Sequence, residues 1–331
     1  MKTLFDKDTW QEIFSSIEQN KVRTIITVIG VLWGIFLYIV LSGAAKGIDH
    51  GFERQFERIS SNSLFVWGQA TSVPYDGFKT GRWINFKLSD VTALKNRIPE
   101  IQHIAPRNSS GVFGGSKAQL VNGQKKGSYN IYGDFPIYTT IATKTIYDGG
   151  RFINESDIKA KRKVCVIGER TQQELFNEGE SPIGKFVRIN GIHFRIIGVT
   201  KFVDGGGFGD DGDIFLPFTT YQRLYNTGEY VDFLLVAAYP TADIVQVETN
   251  IRAVLKELHH VSPEDKRALG GFNIGKMFKQ ITKFASGMSF LSMVIGLATI
   301  LGGIIGIGNI LLISVKERTK EIGVRRAIGA T

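Results

Sequence analysis

A single cysteine, Cys165, stands among 331 residues. It lies in the apolar, strand-like run 164–167, so it reads as a small core residue, and an intrachain disulfide is excluded for want of a second thiol. Histidine is scarce too: the five present are scattered, and no His-x-x-x-His or Cys-x-x-Cys spacing offers a metal its ligands. His259 and His260 are adjacent and would point apart on a helix, which suits a helix end, where imidazolium complements the dipole. No Gly-x-x-x-x-Gly-Lys-Ser/Thr phosphate loop occurs; in the nearest stretch, 111–117, Ser116 stands where the second glycine belongs. ATP hydrolysis is therefore not the work of these residues. Gly207, Gly209 and Gly212 satisfy Gly-x-Gly-x-x-Gly, but Asp213 leads into Ile214, Phe215, Leu216 and Pro217, a strand where a dinucleotide needs a helix N-terminus. Asp210, Asp211 and Asp213 lack the distal glutamate of a calcium loop, so the reading is a solvated loop. No Ser/His/Asp set stands out. The chain reads as non-catalytic, with no cofactor or metal of its own. Its net charge of +9 is spread out and makes no basic stripe interleaved with aromatics, so nucleic acid is not an expected partner.

Charge is also what two long stretches lack, 24–45 and 284–315. About 20 apolar residues cross a bilayer as a helix, and 24–45 at ~1.5 Å per residue covers roughly 33 Å. Ser42, Gly43 and Ala44 would suit signal cleavage, but the run exceeds a usual signal core and follows a patterned segment, so a retained span is expected. In that segment, 1–23, Thr9 and Glu12 form a capping box, and Trp10, Ile13, Phe14 and Ile17 make an apolar stripe for a helix along the cytoplasmic surface. Lys21 and Arg23 set the inside flank. After the second run come Lys316, Arg318, Lys320, Arg325 and Arg326, cations that resist translocation and place both ends in the cytosol. Such a run taken alone is commonly only a topological anchor. Here Val324, Ala327 and Ile328 share a helical face, Glu321 and Arg325 are spaced i,i+4, and Gly329 can stop a helix, so a short amphipathic basic helix is predicted over 316–331. Gly30 with Gly34, and Gly302 with Gly306, form Gly-x-x-x-Gly pairs that would let helices approach closely, within or between protomers.

Between the spans the composition suits water. Ile48, Phe52, Phe56 and Ile59 prolong the first helix as a stalk over 46–62, and Ile274, Met277, Phe278, Ile281 and Phe284 prolong the second backwards over 269–283. The intervening fold reads as α+β. Strands are expected at 63–70, 101–106, 214–217 and 231–239; a helix capped by Ser89 runs through Val91, Leu94 and Ile98 to Pro99. A helix over 243–259 would bury Ile244, Val247, Ile251, Val254, Leu255 and Leu258. Asn122-Gly123 and Asn190-Gly191 each sit between extended runs, the strongest short hairpin signal. They mark a β-rich insertion over 107–213, with 63–106 and 214–268 forming an α/β subdomain around it.

Glu317, Arg318, Glu321, Ile322, Gly323, Arg325, Arg326, Ala327, Gly329 and Ala330 resemble, residue by residue, the cytoplasmic loop after the second membrane helix in permeases of the MacB and FtsX family of ABC transporters. Further landmarks resemble the MacB-type extracytoplasmic domain in order and spacing: Gly150, Arg151, Phe152, Asp157; Val166, Ile167, Gly168; Pro182, Ile183, Gly184, Lys185; Phe194, Ile197, Gly198, Val199. The resemblance implies a porter-like subdomain with a smaller one inserted. It also implies that Glu317, Arg318, Glu321, Ile322, Gly323, Val324, Arg325, Arg326, Ala327, Ile328 and Gly329 couple to an ABC ATPase on a separate chain, which would bind the ATP and Mg. A dimer with a second permease copy or paralogue, membrane lipid, and a periplasmic adaptor with an outer-membrane channel are the partners it implies, in the cell inner membrane, for efflux from the periplasm. Lipoprotein release and activation of cell-wall hydrolases are alternative outputs of the same family. A two-span sensor or scaffold is the alternative of another class. The family's third and fourth spans are missing and the Gly-rich 205–213 loop departs from it; a truncated chain is the expectation.

Overall fold

The computed structural model describes residues 21–56, 58–112, 115–202 and 209–329. The amphipathic helix expected before Lys21, and residues 205–208 of the Gly-rich loop, lie outside the described residues. The first charge-free stretch sits in a helix without proline, α1 (Lys21–Phe56). There follow β1 (Ser63–Gly68), β2 (Phe86–Lys87), α2 (Leu88–Arg97), β3 (Ile101–Ser110), β4 (Ala118–Asn122), β5 (Lys125–Tyr129), β6 (Ile131–Asp134), α3 (Tyr138–Ile141) and α4 (Glu155–Lys159). Next come β7 (Val164–Gly168), α5 (Glu169–Leu175), β8 (Phe186–Ile189), β9 (Ile192–Thr200), β10 (Ile214–Pro217), α6 (Phe218–Tyr225), β11 (Tyr230–Val231) and β12 (Phe233–Ala238). Helix α7 (Ile244–Leu258), β13 (Leu269–Asn273) and α8 (Ile274–Ala327) complete the order. Two compact units result, a helical one (Met1–Gly51 with Ile281–Thr331) and a mixed one (Phe52–Gln280).

In the mixed unit an 11-stranded sheet runs β13-β1-β12-β3-β6-β10-β7-β9-β8-β4-β5. Pairing is antiparallel except for β6 with β10 and β7 with β9. The unbroken apolar run of β12 is buried along its whole length, as a strand covered on both faces requires. Helix α7 buries Ile244, Val247, Ile251 and Leu255, the 3.6-residue stripe, while Val254 and Leu258 are only half-buried. Asp243 caps it by accepting the Val245 N–H at 3.0 Å. Helix α2 is capped by Asp90, not Ser89: the carboxylate reaches back to the Lys87 N–H at 2.8 Å, and Ser89 falls inside the first turn.

Both hairpins form. Asn190 (φ 44°) and Gly191 (φ 87°) are the central residues between paired Ile189 and Ile192, as a type I′ turn demands. The other hairpin turns one residue later than its Asn-Gly signal, about Gly123 and Gln124, with Asn122 paired to Lys125. There the Asn122 side chain donates to the Leu175 carbonyl at 2.8 Å, which ties the end of β4 to α5.

Two sequence readings are corrected. Residues 269–273, taken as the start of the returning helix, form β13, which pairs antiparallel with β1 from Leu64↔Asn273 to Gly68↔Leu269. Gly270 and Gly271 disfavour a helix there, and Asn273 Oδ1 accepts the Lys276 N–H at 2.7 Å, so the helix starts at Ile274. The boundary at 107 and 214 does not divide the sheet either. Strand β3 crosses it, and β10 pairs with β6 on one side and β7 on the other, which leaves no strand edge there to be satisfied by water. The hairpin end of the sheet covers a core of Leu120, Ile131, Phe194, Ile196, Ile214 and their neighbours. Cys165 lies in that core, fully buried, and burial pushes its thiol up.

Candidate functional site

Among the described residues two helical stretches are long and apolar enough to cross a membrane, Thr24–Arg54 and Ile274–Ile313. Only 6% of the first apolar window and 11% of the second are buried, which separates them from core helices of a soluble protein. The helices run antiparallel along a seam of small residues. A Cβ on Gly34 would stand 1.9 Å from Thr299 Oγ1, and one on Gly306 would stand 2.6 Å from Thr27 Cγ2. Gly303 faces Val31 and Gly296 faces Tyr38. Gly30 and Gly302 have nothing within 4 Å of such a Cβ, so each Gly-x-x-x-Gly pair brings one glycine to this contact and leaves the other off it. The seam on α8 is Gly296, Thr299, Gly303 and Gly306, a 3-4-3 spacing that keeps one face of a helix toward its partner. That 3-4-3 spacing is readable in the sequence, although Gly296, Thr299 and Gly303 fall outside the two Gly-x-x-x-Gly pairs.

Beyond the second apolar run, α8 continues through Lys316 and Gly323 to Ala327, so the basic segment prolongs the helix and is not a separate short one. No proline interrupts it. Gly329 takes φ 82°, with its N–H on the Arg326 carbonyl at 3.2 Å, a left-handed stop for which glycine is suited. Val324 and Ile328 are 55% and 77% exposed, and Arg326 and Ala327 are exposed. The side chains of Glu317, Arg318, Glu321, Ile322 and Arg325 lie outside the described residues, and with them the Glu321–Arg325 pair.

In the mixed unit, charge is buried at a few joints. The Arg107 guanidinium, 3% exposed, donates from Nε and Nη2 to the Asp134 carboxylate and lies over the rings of Tyr132 (4.2 Å) and Tyr138 (3.9 Å). Burial alone would lower the guanidinium pKa, but the Asp134 charge more than offsets it, and Arg107 stays ionised. Asp157, wholly covered, accepts from Arg151 (2.6 and 3.0 Å) and from the Asn154 N–H (3.1 Å), which outweighs its burial and holds its carboxyl low. Burial pushes Asp213 up to about 6, against the Asp210 N–H and the Asn130 amide, which both donate to it. Asp210 and Asp211 are engaged by Arg170 at 2.7 and 2.9 Å, so this acidic run is more tied down than a free solvated loop. His259, at the end of α7, sits 2.7 Å from Asp90, and His260 sits 2.6 Å from Asp76. Among the described residues no three His, Cys, Asp or Glu side chains gather as a metal site would require. These groups lock loops and strands to each other, and the unit is built to hold shape.

Residues 24–254 match the family model of the MacB-like periplasmic core domain, and 293–331 match that of the FtsX-like permease C-terminal region. The chain belongs to the MacB/FtsX family of ABC transporter permeases. A relative in this family, the macrolide export ATP-binding/permease protein MacB of Bdellovibrio bacteriovorus, is 32% identical over 96% of this chain and 48% of its own length. The pyoverdine export ATP-binding/permease protein PvdT of Pseudomonas syringae is 27% identical over 98% of this chain and 48% of its own. The chain thus spans about half the length of the relatives it matches. The mixed unit has the MacB fold: the periplasmic region of MacB from Actinobacillus actinomycetemcomitans superposes with a TM-score of 0.53, 22% identity, 68% of this chain and 95% of that one. The extracellular domain of the transporter YknZ from Gram-positive bacteria superposes with 0.50, 16% identity, 64% and 100%.

Proposed function

We propose that this chain is the membrane permease of a MacB-like exporter, working as a dimer with an ATPase on a separate chain that supplies ATP and Mg. The observation that carries the reading is the pairing of two family matches on one chain, the periplasmic core domain and the permease C-terminal region, with a membrane-competent helix under each. In this reading both ends are cytosolic, the mixed unit lies outside the inner membrane, and ATPase closure pushes on 316–329. An uninterrupted α8 suits that role, because a helix transmits a displacement along its axis with its backbone bonds intact. Relatives named for macrolide and pyoverdine export favour export of a small molecule as the output; in this reading it leaves the periplasm through an adaptor and an outer-membrane channel.

Membrane crosslinking and pull-down of the tagged protein tests the reading. Capture of an ATPase bearing a phosphate loop, together with a periplasmic adaptor, is the expected result; no ATPase after trapping with a nonhydrolysable nucleotide defeats it. The double charge reversal Arg325→Glu with Arg326→Glu is expected to abolish export while membrane insertion persists. Export at the wild-type rate would remove the basic segment from the coupling path.

A further inference from the structure

The helical unit carries an open groove of about 810 Å³ lined by α1 and α8, within the ~300–1,000 Å³ of small-molecule sites. From Val31 to Lys46 of α1 it runs about 22 Å at ~1.5 Å per residue, more than the ~15 Å that one leaflet contributes to a ~30 Å hydrocarbon core. Most of that length is apolar, with Ile35 of α1 and Leu297, Ile300 and Ile304 of α8 in the lining. Ile300 and Ile304 are each 61% exposed, so no described side chain covers them.

One end differs. Gly34 lies against Thr299 and Gly296 against Tyr38; carried further, this antiparallel register brings Ser42 level with Ser292 and Lys46 level with Ser289, all four in the lining. Lys46 is the first charged residue past the charge-free stretch 24–45, where a membrane helix meets the headgroups. Its ammonium makes no ion pair with Asp49 one turn on, nor with any other described residue, and no Asp or Glu stands in the groove. The hydroxyls of Ser42 and Ser289 make no hydrogen bond to a described residue either, whereas Ser292 donates to the Met288 carbonyl at 2.9 Å. A long apolar seat with one uncompensated cation and two hydroxyl donors at its mouth complements a hydrocarbon chain that ends in an anion.

We propose that this groove seats an anionic phospholipid of the bilayer, with one acyl chain along Ile35, Leu297, Ile300 and Ile304 and the phosphate at Lys46, where Ser42 and Ser289 donate to its oxygens. The site stands on the helical unit alone and does not depend on the export reading.

Native mass spectrometry of the full chain in neutral detergent, titrated with phosphatidylglycerol and phosphatidylcholine of identical acyl chains, tests it. The first phosphatidylglycerol is expected to bind at least about fivefold more tightly than the first phosphatidylcholine, the effect of one cation beside an anionic headgroup. Lys46→Ala should abolish that preference while phosphatidylcholine still binds, which also reports that the variant is folded. Lys283→Ala, exposed on α8 and outside the lining, should leave the preference intact. Ile300→Trp should weaken both lipids, and Ile305→Trp, 63% exposed but outside the lining, neither. Equal affinity for the two lipids, a preference that survives Lys46→Ala or disappears with Lys283→Ala, or undiminished binding by Ile300→Trp would each overturn the site. Competition by glycerol phosphate would overturn it in favour of a free phosphate ester, and a dimer of this chain that carries no lipid in favour of a second copy. The two lipids on the unaltered chain decide the matter even where a variant does not fold. Failure here leaves the pull-down of an ATPase, and so the export reading, untouched.

Discussion

The Asp265 carboxylate accepts N–H bonds from Ser72 (2.6 Å), Val73 (3.0 Å), Arg267 (2.9 Å) and Ala268 (3.1 Å), and the Ser72 hydroxyl at 2.7 Å. Burial alone would raise its pKa; the bonds from Ser72, then Arg267 and Val73, reverse this and hold it well below the usual carboxylate range. A depressed folded-state value stabilises above the unfolded pKa, ~3.9, and that stabilisation is lost as pH falls through the folded value. Asp265→Asn keeps one acceptor oxygen and is expected to cost about 2–4 kcal/mol at pH 7, with the gap from wild type shrinking below pH 4 in denaturant titrations. Asp213 has the opposite sign. Its folded-state pKa, raised by burial from 3.8 to about 6, makes ionisation costly in the native state. Stability should therefore fall as pH rises from 4 to 6, by up to about 3 kcal/mol from this group, and level off above. Asp213→Asn should flatten that slope; a slope left intact would assign it elsewhere.

Among elements, α1 and α8 make the clearest test of packing against pattern. Gly34 and Gly306 meet threonines at distances a side chain cannot share, and Thr299, whose Oγ1 donates to the Ile295 carbonyl at 2.8 Å, is held in one rotamer. Gly34→Leu and Gly306→Leu are expected to lower the melting temperature of the helical unit by several degrees in nanodiscs. Gly30→Leu and Gly302→Leu should leave it within error, because nothing lies within 4 Å of either position. Equal loss in all four would mean that the seam lies elsewhere. Of the four glycines in the Gly-x-x-x-Gly pairs, two, Gly34 and Gly306, lie on the seam. Spacing alone gives two rows of glycine on a helix, and only the partner helix selects between them.

Across the whole mixed unit, β3 links the β13-β1-β12 side of the sheet to the rest through β6, joined at Asn108↔Gly133, Ser109↔Tyr132 and Ser110↔Ile131. The Arg107–Asp134 fork lies beside this joint and is fully buried. Asp134→Ala leaves an uncompensated buried guanidinium and is expected to cost about 3–5 kcal/mol, whereas the pair Arg107→Met with Asp134→Leu should cost markedly less. Chemical denaturation of the two variants measures the difference. Equal losses would show that the pair contributes packing and no charge compensation.

The sequence by itself determined what depends on neighbours along the chain. Charge-free runs set the two long helices, Asn-Gly dipeptides set the hairpins, the i, i+3, i+4 stripe set α7, and the order of landmark residues pointed to the family. Part of those landmarks is legible afterwards as geometry: a Cβ on Gly198 would lie 2.4 Å from the Arg151 carbonyl, and one on Gly150 would lie 2.9 Å from Gly198 Cα. What only the tertiary structure decided are pairings between residues far apart. Residues 269–273 became a strand because the edge of β1 needed partners for its amides and carbonyls, and two glycines left the segment without a strong preference of its own. Asp90 displaced Ser89 as the cap because a carboxylate could reach back to an amide. Arg107 found Asp134 because β3 and β6 become neighbours. No period of 2 or 3.6 encodes such meetings, since they depend on which strands become neighbours and not on what stands beside each residue in the chain.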